Sequence, residues 1–141
     1  MSASTRFERL GVQIDQAVAE VKTAASQDKA KLQAHVDAAR KKADEQSAQM
    51  RARSQETKEG AESGWQQVQN DWDAHTRKIR QRMDEKKAKL DSKDAEFEAK
   101  WAEADAEHAV DFAAAAIEEA EYAVLDAQLA RMNADAVAAA T

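Results

Sequence analysis

Large apolar residues recur every eleven positions along the first third of the chain, at Leu10, Val21 and Leu32, with Ala43 continuing the row. A second row lies four residues later at Ile14, Ala25 and Val36. A third, at Ala17, Ala39 and Met50, is interrupted by Asp28. Eleven residues over three turns is about 3.67 per turn, a stripe that stays nearly straight and winds slightly right-handed. From Trp65 the spacing becomes seven: Trp65, Trp72 and Ile79, a step of four to Met83, then Leu90, Phe97 and Ala104. Heptads imply a left-handed winding, and a four-residue insertion relaxes it locally. Both patterns predict long helices that bury one narrow face. Thr5-Arg6-Phe7-Glu8 has the form of a capping box, which places the first helix start at Thr5. Asp91-Ser92 could cap a new helix, but continuation through it is the expected course.

The last third has two apolar stripes. Ala113, Ile117, Ala120, Val124 and Ala127 share one face; Tyr122, Leu125, Leu129, Met132 and Ala136 share another. At ~100° per residue these faces are centred well over 100° apart, so the helix is expected to touch two partners.

Between the two rhythms lies EGAESGW, residues 59–65, with two of the chain's three glycines. Gly60 suits the position just past a helix end, and Ser63-Gly64-Trp65-Gln66 has capping-box form. Stop and start signals this close predict a turn at 60–64 built on Gly60, Ser63 and Gly64. The competing reading is one continuous rod, because the ladder from Leu10 extends in phase to Trp65. However, Ser54 takes the preceding rung and residues 51–64 hold no large apolar side chain.

The expected fold is therefore all-α: an elongated antiparallel helical hairpin with one arm over about 5–60 and the other over about 64–140. Its sections are arm one (5–60), the turn, arm two (64–107) and an apolar oligomerisation tail (108–141). A turn near 62 makes positions whose numbers sum to about 124 face each other, with Val36 near Ala88 and Leu90, Val21 near Trp101, Ile14 near Val110, and Phe7 near Ile117. Trp65 and Trp72 would plug the closed end. The second arm outruns the first, so Tyr122, Leu125, Leu129 and Met132 are expected to form an interface with another copy in a coiled coil or bundle.

Composition sharpens this. There is no proline, and Ala, Glu, Lys, Leu and Arg make up 74 of 141 residues, the profile of a long helix or coiled coil. Of the apolar residues 34 are alanine, while Leu, Ile, Val and Phe total 19, too few for an ordinary globular core. A two-helix hairpin alone buries little, which again calls for self-association. No cysteine is present, so disulfides and thiolate chemistry are excluded. No apolar run reaches membrane-spanning length, and the N-terminus lacks a signal-peptide core, so a cytoplasmic location is expected. The net charge of −6 disfavours nucleic acid as a partner.

Candidate chemistry is sparse. Asp105 with His108, and Asp71 with His75, have carboxylate–histidine spacing, but the Glu-x-x-His pattern of di-metal bundles is absent. In a chain that is 34% charged such pairs arise by chance. There is no nucleophile elbow and no phosphate-cradling loop, so no catalytic, cofactor or metal residues are assigned and the chain is expected not to be an enzyme. Lys78, Arg82, Lys86, Lys89 and Lys93 fall on one arc beside the Ile79–Met83–Leu90 stripe. They read as a solvated flank, as a contact for anionic lipid, or as a contact for the acidic tail of a neighbouring chain. The aromatics at helical spacing read as seam residues.

The segments DFAAAAIEEAEYAVLDAQLARM (111–132) and WDAHTRKIRQRMDEKKAKLD (72–91) resemble uncharacterised long-helical (coiled-coil) proteins of actinobacteria. That resemblance implies a bacterial cytoplasmic protein and carries no activity or site residues with it. The eleven-residue rhythm of residues 10–43 is similar to that of exchangeable apolipoproteins and stress-associated helical proteins, although the proline punctuation of apolipoprotein repeats is missing.

The expected function is a non-enzymatic structural or scaffolding protein that self-assembles through amphipathic helices. Its expected partner is itself, or else another helical protein. The alternative is a protein that coats anionic membrane or lipid surface, and a metal-dependent helical-bundle enzyme ranks below both.

Overall fold

A computed structural model of the chain describes residues 2–56, 64–88 and 95–140. All regular structure there is helical: α1 (Ala3–Ala25), α2 (Lys29–Glu56), α3 (Trp65–Ala88) and α4 (Ala95–Ala140). The first expected arm is thus two helices rather than one.

α1 begins three residues earlier than the Thr5 box predicts. Ser2 is the cap: its Oγ accepts the Thr5 backbone N–H at 3.1 Å and lies 2.9 Å from the Thr5 hydroxyl. Thr5 is therefore spent inside the first turn. α1 ends where Ser26 and Gln27 donate back to the carbonyls of Thr23 and Ala24, at 3.3 and 3.1 Å, tightening the last turn. The Ser26 hydroxyl also donates to the Thr23 carbonyl at 2.9 Å. Asp28 then starts α2 as its N-cap, its Oδ1 accepting the Lys31 N–H at 2.9 Å. His35 and Gln27 are linked across this joint at 2.9 Å. A local side chain that offers the backbone an alternative partner is enough to interrupt a helix.

α3 starts at Gly64, whose carbonyl accepts the N–H of Gln67 at 3.2 Å and of Val68 at 3.4 Å. Gly64 has φ +84°, the left-handed region, as a residue leaving a turn requires. Gly60 and Ser63, and Asp91-Ser92, lie outside the described residues.

The chain divides into two units, one of Met1–Lys22 with Glu96–Thr141 and the other of Thr23–Ala95. In the first, Phe7, Leu10 and Ile14 of α1 and Ile117, Ala120 and Val124 of α4 are half-buried, while Val21 and Val110 are exposed. In the second, α2 and α3 pack together. Ala24 and Gln69 are the buried residues among those described. No helix among the described residues is long and apolar enough to cross a membrane.

Candidate functional site

The contact between α2 and α3 is made by charged side chains at coiled-coil spacing. Arg40, Asp44, Ser47 and Arg51 of α2 follow steps of four, three and four, as do Asp73, Arg77, Arg80 and Asp84 of α3. Arg40 grips Asp84 with both guanidinium arms, Nη1 to Oδ1 at 2.9 Å and Nη2 to Oδ2 at 3.2 Å. Arg51 Nε donates to Asp73 Oδ2 at 3.1 Å. Arg80 pairs with Asp44. The residue numbers of each pair sum to 124, so over this stretch the helices run antiparallel.

Asp73 is held from two sides. Its side chain is only 16% exposed, and its second oxygen accepts the Gln69 amide at 3.2 Å. Gln69 itself is buried. The hydrogen bond from Arg51, helped by its charge, by Gln69 and by nearby Arg77, holds the Asp73 carboxyl below the ordinary aspartate value, with burial opposing the shift. In turn Asp84 and Asp73, as acceptors, raise the guanidinium pKa values of Arg40 and Arg51. Thr76 donates its hydroxyl to the Asp73 carbonyl at 3.2 Å.

This polar seam displaces the apolar one expected from the heptads. Val36 and Met83 are exposed, and Trp65 is 60% exposed, so the two tryptophans form no buried plug. Trp72 is half-buried, with its ring 6.2 Å from that of His75. The apolar residues instead share a second face. At ~100° per residue, Leu32, Val36, Ala43 and Met50 centre about 75° round α2 from the Arg40–Arg51 row. Trp65, Trp72, Ile79 and Met83 centre about 105° round α3 from the Asp73–Asp84 row, in the same rotational sense. Because the helices are antiparallel, that shared sense brings both stripes to one side of the pair. Leu32, Val36, Met50, Trp65, Val68 and Met83 are all exposed there.

The sequence-predicted interface residues Tyr122, Leu125, Leu129 and Met132 are all exposed on α4, between 56% and 69%. Of the basic arc, Lys78 and Arg82 are exposed on α3; Lys86 lies in α3, and Lys89 and Lys93 lie outside the described residues. No cluster of three potential metal ligands occurs among the described residues. Asp71 accepts the Gln67 amide at 3.0 Å, and His108 is exposed.

Comparison with protein-family models, with curated proteins and with solved structures finds no match to this chain.

Proposed function

We propose that the chain is a non-enzymatic structural protein that self-assembles through the amphipathic faces of its helices. One observation carries this reading: within a single chain the large apolar side chains stand exposed on both α3 and α4, from Trp65 and Val68 to Tyr122 and Met132. Contiguous exposed apolar faces of this kind mark association surfaces. The ion pairs between α2 and α3 support the same reading, since they join two helices without using their apolar residues. The long hairpin and the coiled coil or bundle belong to this assembled state. Light scattering with circular dichroism at micromolar concentration tests it: the expected result is a helical species heavier than one chain, and a well-folded monomer overturns it.

A second reading has its own observation. Lys78 and Arg82 flank the apolar stripe of α3, the arrangement by which amphipathic helices meet anionic lipid. On that reading, anionic vesicles raise helicity or dissociate the oligomer, and the chain floats with them in a density gradient.

A further inference from the structure

The two bare apolar faces differ in charge, and this decides which can meet which. Residues 23–95, which hold the α2–α3 pair, carry 16 bases and 13 acids, a net +3. Residues 96–141, which hold α4, carry two bases, Lys100 and Arg131, and eleven acids, a net −9. Arg131 is moreover engaged with Asp135 at 3.6 Å.

The local placement agrees. On α4 the face of Tyr122, Leu125, Leu129 and Met132 is bordered by Glu121 about 60° to one side and by Asp126 and Glu119 about 80–100° to the other. On the α2–α3 pair, the flanks beyond the apolar stripes carry Lys42 and Arg53 on α2 and Lys78 and Arg82 on α3. Asp71, already accepting from Gln67, is an acid on the α3 flank. Two α4 faces brought together would oppose acid with acid. Two α2–α3 faces would oppose base with base. An α4 face on an α2–α3 face joins apolar to apolar with opposite charges along both borders.

We infer that the apolar face of the α2–α3 pair is the docking site for the Tyr122–Met132 face of α4 from a second copy of the chain. Exposure argues for a second copy: within one chain both faces stand open, Leu32, Val36, Trp65 and Met83 on the pair and Tyr122, Leu125, Leu129 and Met132 on α4. Docking is thus head-to-tail, with the donor face and the acceptor face on different surfaces. Exchanged reciprocally between two copies, such an interface closes as a dimer; passed from copy to copy, it closes into a ring or continues as a filament. This inference rests on the self-assembly reading above.

Charge-swap variants test it. One variant carries Lys42→Glu, Arg53→Glu and Lys78→Glu; the other carries Glu119→Lys, Glu121→Lys and Asp126→Lys. Circular dichroism first checks that each keeps its helicity. By sedimentation, each alone is expected to associate at least about ten-fold more weakly than the parent. An equimolar mixture is expected to recover assembly, because each variant's α4 then matches the other's α2–α3 face. Raising the salt from 50 mM to 500 mM is expected to weaken the parent assembly. Full assembly of the Lys42/Arg53/Lys78 variant alone, or a mixture that stays dissociated, overturns head-to-tail docking while leaving self-assembly standing. A monomeric parent overturns both. A monomeric parent that binds anionic vesicles through Lys42, Arg53 and Lys78 makes lipid the occupant instead.

Discussion

Arg40 and Asp84, 44 positions apart in the chain, meet fork to fork, both guanidinium arms donating to both carboxylate oxygens at 2.9 and 3.2 Å. The pair is about half exposed, at 46% and 51%. Geometry of this kind fixes direction more than it adds stability, because water and salt screen exposed charges. A double-mutant cycle with Arg40→Ala and Asp84→Ala is expected to give a small favourable coupling in low salt. In 1 M salt, where the Debye length falls to ~3 Å, the coupling is expected to vanish. A coupling that survives high salt would contradict the picture of a screened, surface-level pair.

Asp73 makes the α2–α3 contact sensitive to acid. Its carboxyl is held below the ordinary value of 3.8, principally by Arg51, so the folded chain releases this proton more readily than the unfolded one. The contribution to stability is complete above the unfolded value. It falls away as the pH drops from about 4 through the lower folded value. Asp73→Asn is expected to flatten the dependence of thermal stability on pH over that acid window. An unchanged slope in the variant would mean that other carboxylates dominate acid unfolding.

The Asp28 cap sets where α2 begins. Asp28→Ala removes the acceptor of the Lys31 N–H and is expected to cost ~1 kcal/mol, with Asp28→Asn costing much less. Hydrogen exchange at Lys31 reads the same event locally: the amide is expected to exchange faster in the alanine variant. Equal protection in both variants would show that Asp28 does not hold this amide.

Gly64 is needed for its backbone rather than for space. A Cβ there would meet nothing within 4 Å, yet φ is +84°. Gly64→Ala is therefore expected to destabilise by ~1–2 kcal/mol through conformation alone, and Gly64→Asn by less, since asparagine tolerates the left-handed region better. Thermal melts of both variants decide it; alanine and asparagine costing the same would point to a cause other than φ.

The proposed self-assembly would tie folding to concentration. If folded chains associate and unfolded ones do not, the melting temperature rises with protein concentration. Leu125→Ser with Leu129→Ser is expected to remove most of that rise while leaving the helical spectrum intact. A melting temperature independent of concentration in the parent chain would count against assembly.

The helical class is legible in the sequence because nothing there competes with it: no proline, few glycines and alanine throughout. The joint after Ala25 is not. Ser26-Gln27-Asp28 contains neither glycine nor proline, and the rows of Leu10 and Ile14 pass across it without losing phase. Only the capping chemistry of Asp28 marks it, and a mid-row aspartate is more simply read as an interruption of the stripe. At the first helix, Ser2 and Thr5 both have cap chemistry, and the glutamate at position 8 favoured the wrong one. The site was harder still. Arginine and aspartate at positions 40, 44, 51, 73, 80 and 84 look like solvated surface when each helix is taken alone. Their meaning lies in the opposite order of their charges on the two helices, which becomes visible only when the partner's direction is known. The exposed state of Tyr122, Leu125, Leu129 and Met132 agrees with their spacing on a face of α4 distinct from Ile117 and Val124.

The order of charges along α2 and α3 also works as a combination lock. A slide of four residues in one direction sets Arg40 against Arg80; in the other it sets Asp44 against Asp84 and Arg51 against Arg77. Alanine-rich helices are smooth enough to sit at many offsets, since one small side chain fits much like the next. Here the offset is written in sign rather than in shape, so a misaligned pair is repelled instead of merely being less well packed.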